Sequence, residues 1–112
     1  MKEKLLDFIR RNPRASFSEL ERFFEEEGFE FRGDATIEVR DANILFWEGW
    51  NHEAVSLILE LVRGGMVTLE AATWFEILTF GKTFDLPIAK RPKDGYKELH
   101  WLPVVLSVKG AD

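Results

Sequence analysis

The chain has 112 residues, a net charge of −5, no cysteine and fifteen aromatic residues, of which ten are Phe, four Trp and one Tyr. Its length fits one domain, taken as 1–112, and a hydrophobic content of 46% excludes wholesale disorder. The missing cysteines exclude a disulfide framework, a thiolate nucleophile and Cys-ligated zinc or iron–sulfur sites, and no apolar run approaches the roughly 20 residues of a membrane-spanning helix.

Residues 2–11 predict a helix, with Leu5, Phe8 and Ile9 at helical spacing and charges between them. Asn12-Pro13 ends it, because the residue before proline is pushed out of the α region. Ser16-Phe17-Ser18-Glu19 fits a capping box that opens a second helix. Phe17, Leu20, Phe23 and Phe24 form its apolar stripe, and Gly28 its stop. Its other face is acidic: Glu19, Arg22, Glu25 and Glu26, with Glu21 and Glu27 at the margins. That face reads as solvated, paired with Arg10, Arg11 and Arg14, or as a docking face for a basic partner.

Residues 36–39 and 44–48 predict short strands joined by the turn Arg40-Asp41-Ala42-Asn43. A third helix starts at the Asn51 cap and closes at Gly64-Gly65. Val55, Ile58, Leu59 and Val62 form its stripe, and Ala54, Leu57 and Leu61 widen it, so the helix is expected to pack on more than one side. Met66–Glu70 reads as a strand, and so does Trp74–Phe80, with a helical turn as the alternative for its short apolar run. Thr83–Ile88 alternates, Phe84, Leu86 and Ile88 inward, and predicts another strand. Leu99–Val108 predicts the last, with Leu102, Val104, Leu106 and Val108 on one face. Pro87 and Pro103 mark these strands as edges or bulges. Between them, residues 90–97 form a basic hairpin tip.

That tip is the first candidate site. Lys90, Arg91, Lys93 and Lys97 against Asp94 give a local charge of +3, with Tyr96 placed for stacking. The short turn and capped second helix within Asn12–Leu20, and the order helix, helix, strand, helix, strands, loosely resemble a winged helix-turn-helix domain. The resemblance implies nucleic-acid binding through Lys90, Arg91, Lys93, Tyr96 and Lys97. Residues 19–30 oppose it, with six Glu and one Arg, a charge that repels phosphate.

The four tryptophans are the second candidate. Trp47, Trp50, Trp74 and Trp101 serve as core filling, as a protein interface or as a stacking platform for a small ligand. Trp50, at a strand-to-helix corner beside Gly49, is expected to be partly uncovered. Two histidines, His52 and His100, lack the spacing of a zinc-protease helix, since position 56 is Ser. The serines 16, 18, 56 and 107 sit in no Gly-x-Ser-x-Gly elbow. Gly64-Gly65 and Gly33-Asp34 lack phosphate-loop context.

The expected architecture is α+β: two N-terminal helices and a central helix on a mainly antiparallel sheet of about four to six strands. The charged start Met1-Lys2-Glu3-Lys4 has no signal-peptide pattern, so a cytoplasmic location is expected. The absence of Gln and Cys fits a prokaryotic, thermophilic chain. The leading functional expectation is a non-catalytic interaction module that forms a homo-oligomer, most simply a homodimer. No catalytic residue, cofactor or metal ligand is assigned. A nucleic-acid-binding regulator comes second, and an enzyme using His52 or His100 with nearby carboxylates third.

Overall fold

The computed structural model describes residues 1–110 as an α+β fold. Helix α1 (Lys2–Arg11) buries Leu5 and Ile9, one turn apart, and ends at Asn12, whose side-chain amide donates to the Phe8 carbonyl. Arg14 then takes a left-handed φ of 59°, and α2 (Phe17–Glu26) begins. Its capping box is present in full: the Ser16 hydroxyl accepts from Glu19 N–H while the Glu19 carboxylate accepts from Ser16 N–H. Phe17, Leu20, Phe23 and Phe24 are buried.

Strands β1 (Arg32–Val39) and β2 (Ile44–Trp50) form an antiparallel hairpin. A 3-10 turn at Arg40–Ala42 and a left-handed Asn43 reverse the chain between them. The ladder is bulged near Trp50, which faces both Arg32 and Ala35. Gly33 allows the approach: a Cβ there would lie 2.7 Å from Asn51 Cα and 2.9 Å from the Trp50 carbonyl oxygen.

Helix α3 (His52–Arg63) is capped by the Asn51 side chain, which accepts from Ala54 N–H at 2.8 Å. It buries Ala54, Val55, Ile58 and Leu61, half-buries Leu57, Leu59 and Val62, and packs against α1, β1 and the next strand. That strand, β3 (Val67–Ala71), pairs antiparallel with β5 (Val104–Val108). An isolated antiparallel bridge, Ala15–Leu106, occupies the other edge of β5. The short β4 (His100–Trp101) runs parallel to β2, so the strands form two sheets, one of three and one of two, instead of one larger sheet.

The second half departs from the sequence expectations in four places. Residues 74–78 are helix α4 (Trp74–Leu78), not a strand; Thr73 caps it with a capping box to Glu76. Residues 83–88 form no ladder, because the chain folds back at Leu86, whose N–H donates to the Phe84 carbonyl. The alternation still predicts burial, with Phe84, Leu86 and Ile88 half-buried and Thr83, Asp85 and Pro87 exposed. The strand read over 99–108 breaks at Leu102-Pro103 into β4 and β5, which belong to different sheets. Finally, the Ile88–Trp101 bridge is parallel, so the basic segment is a crossover loop and not a hairpin tip.

The core joins residues of α1, α2, α3 and all five strands into one cluster, with Ile77 of α4 packed against it. Aromatic rings thread it. Phe17 stacks on Trp47 at 5.7 Å and meets Trp50 edge-on at 5.6 Å. Phe84 bridges Trp47 and Trp101 at 5.4 and 5.2 Å, in the edge-to-face geometry that aromatic pairs favour. Among the described residues no helix is long and apolar enough to cross a membrane.

Candidate functional site

The tryptophans divide sharply. Trp47, Trp50 and Trp101 are at most 2% exposed, which corrects the expectation that Trp50 is partly open and removes all three from an accessible interface. Their indole N–H groups are satisfied internally. Trp47 and Trp50 both donate to Glu21 Oε2, at 2.9 and 2.8 Å, and Trp101 donates to the Phe46 carbonyl at 3.3 Å. Gly49, at φ +93°, breaks the pleat between the first two, so residues three apart in one strand reach the same carboxylate.

Trp74 is different. It is 67% exposed, and its neighbours on α4, Phe75 and Leu78, are 85% and 81% exposed. Three large apolar side chains on one short helix make a patch of the kind that marks contact sites. Sequence reading missed Phe75 and Leu78 as surface residues, although Thr73-x-x-Glu76 is the same helix-start signal that located α2.

Helix α4 is held in place through Glu76, while Ile77 packs against the core. Arg14 grips the Glu76 carboxylate with two N–H···O bonds of 2.8 Å, reaches Glu70 at 3.1 Å and donates to the Ala71 carbonyl. Hydrogen bonding from Arg14, then from the Thr73 backbone N–H, lowers the Glu76 pKa to about 2; the same pairing raises that of Arg14. Beside Trp74 lies an open groove of about 290 Å³, lined by Ala72, Ile77, Ile88, Leu102 and Pro103, with Lys90 at its end.

The basic loop carries the other sequence-predicted site. Lys90, Arg91, Lys93 and Lys97 are exposed and Tyr96 is half-buried. Tyr96 is built into the loop: its hydroxyl accepts from Arg91 N–H at 2.7 Å, and its ring stacks on His100 at 3.7 Å between centroids. Its backbone is tied to the β1–β2 turn, donating to the Ala42 carbonyl and accepting from the Asn43 side chain.

Three of the four candidate serines have structural partners. Ser16 is the α2 cap, Ser18 donates to the Phe80 carbonyl, and Ser107 accepts from Arg14 N–H. His52 is exposed in the first turn of α3, far in sequence from His100. Among the described residues, no three His, Asp or Glu side chains gather into a metal-holding group. The acidic face of α2 does not pair with Arg10, Arg11 or Arg14. Glu25 bonds Arg32 and Glu27 bonds Lys4, while Arg10 and Arg11 turn to Asp7 within their own helix.

No protein-family model matches this chain, and neither a curated protein nor a solved structure gives a significant match.

Proposed function

We propose that the protein is a non-catalytic interaction module that self-associates through α4. The observation that carries this reading is the exposure of Trp74, Phe75 and Leu78 on a helix fastened by the Arg14–Glu76 fork. An apolar surface presented this way is pre-organised, so little side-chain or backbone ordering is left to oppose docking. A second copy is the simplest occupant, since symmetric dimers are the commonest soluble assemblies and bury one patch against its equivalent. Trp74 and Phe75 are large residues of the type that dominates interface energetics. Light scattering over a concentration series tests the reading: the apparent mass rises toward a dimer, whereas a constant monomer mass at the highest concentration contradicts it.

A nucleic-acid-binding regulator is the second reading. The exposed cations Lys90, Arg91, Lys93 and Lys97 favour it, although their loop is a crossover and not the hairpin wing that the resemblance implies. The exposed face of α3 weighs against it, carrying Glu53 and Glu60 against a single Arg63. A salt-dependent gel shift tests this reading; it requires binding at low salt that charge reversal of the loop removes.

A further inference from the structure

The chain has 20 acidic residues for 15 Lys and Arg, so a cation here has no shortage of partners. Lys2, Lys4, Arg10, Arg11, Arg14, Arg32 and Arg40 all form ion pairs. Among the described residues, eight others form none; Arg22, Arg63, Lys82 and Lys109 are scattered along the chain, whereas Lys90, Arg91, Lys93 and Lys97 share one loop with Asp94 and Glu98. Four free cations gathered in one loop of an acidic protein make a local positive field that attracts anions.

The loop also has a shaped receptor. Lys90, Arg91, Tyr96 and His100 line an open depression of about 400 Å³ over Pro87 and Ile88. The Tyr96–His100 stack and the Arg91 N–H bond to Tyr96 Oη fix its wall. His100 Nδ1 lies 2.9 Å from the Glu98 carbonyl oxygen, an acceptor, so this nitrogen carries the hydrogen. Nε2 is the ring nitrogen left for a ligand. The depression therefore offers a planar guanidinium fork, an ammonium and an imidazole nitrogen.

We propose that this depression binds the phosphate group of a phosphate ester. Arg91 takes two phosphate oxygens through its fork, Lys90 supplies a point charge, and His100 Nε2, the acceptor nitrogen of the ring, takes the hydrogen of a protonated third oxygen. A carboxylate has two oxygens and leaves one of these groups idle. Pro87, Ile88 and the Tyr96 ring give an apolar bed for the esterified group. The site does not depend on the α4 patch, and its use of a third, protonated oxygen selects a phosphate monoester over the diester of a strand backbone.

The test is an amide and side-chain NMR titration of the full chain with inorganic phosphate, adenosine monophosphate and a short single-stranded oligonucleotide, at constant ionic strength set with chloride. Saturable shifts confined to residues 87–91 and 96–100 are expected. In the K90E/R91E variant, affinity falls about tenfold or more, while the thermal midpoint is unchanged. Adenosine monophosphate binding at least as tightly as the oligonucleotide supports the monoester site; tighter, more salt-dependent oligonucleotide binding overturns it in favour of a strand backbone. The proposal is overturned if no probe produces saturable shifts, or if the variant titrates like the wild type.

Discussion

Arg14 holds Glu76 by two parallel N–H···O bonds of 2.8 Å, across 62 positions of sequence. The pair ties the turn after α1 to the helix that displays Trp74, Phe75 and Leu78. Its energetic weight depends on the Glu76 charge. Because the folded pKa is lowered to about 2 from 4.5, the pair's stabilisation is present above the unfolded value. It is lost as pH falls from about 4.5 toward 2. Both side chains are partly solvated, so the contribution is at most about 1 kcal/mol. Urea unfolding at neutral pH and at pH near 3 should show a smaller pH difference for E76Q than for the wild type. An identical difference would remove this account of α4.

Glu21 supports a second prediction. Its Oε2 accepts from two enclosed indoles. Truncation in E21A leaves both N–H groups without an acceptor and costs about 2–6 kcal/mol, taking about 1–3 kcal/mol for each orphaned group. E21Q keeps a carbonyl acceptor and recovers much of the loss. Denaturant unfolding of the two variants checks this; equal stabilities would mean the Trp47–Glu21–Trp50 bonds contribute little.

Gly33 gives a test of the hairpin. A methyl group there meets the backbone of Trp50 and Asn51 at 2.7–2.9 Å, and backbone cannot swing away as a side-chain tip can. G33A is expected to cost about 1–3 kcal/mol through overpacking. A control is A35G in the same strand, which adds no atom. The hairpin packing described here requires G33A to have the larger loss in thermal midpoint.

Fluorescence separates the tryptophans without any assembly assay. Trp47, Trp50 and Trp101 are enclosed, and Trp74 is open. Iodide should quench a single accessible component in dilute protein, and W74F should abolish that component. Quenching that survives W74F would place a second indole at the surface.

Much of the first half was legible from local chemistry. Ser16 and Asn51 announced their helices, and the stripe of α2 named its buried Phe residues. The second half depends on contacts distant in sequence. Pro103 divides what reads as one strand because its carbonyl accepts from Ala72 N–H while Leu102 N–H donates to Leu45, tying adjacent residues to two sheets. The alternation from Phe84 to Ile88 reports a half-buried face correctly, yet the backbone there turns on itself, since burial and ladder pairing are separate properties. Trp50 could not be placed by spacing, because the bulge opposite it and the positive φ of Gly49 override the two-residue strand period. Among the site residues, the loop cations were visible as charge. The α4 patch was hidden by reading β-prone Trp-Phe and Ile-Leu as a strand, although Thr73 and Glu76 already formed a helix start.

The central claim is that Trp74, Phe75 and Leu78 bind a second copy of the chain. Sedimentation equilibrium of the wild type beside W74S/F75S/L78S tests it most directly, with unfolding curves run on both. The wild type should show a concentration-dependent monomer–dimer equilibrium. The variant should remain monomeric while unfolding at a closely similar midpoint, because all three side chains are largely exposed in the monomer. A wild type that stays monomeric, or a variant that dimerises with the same constant, would contradict the claim.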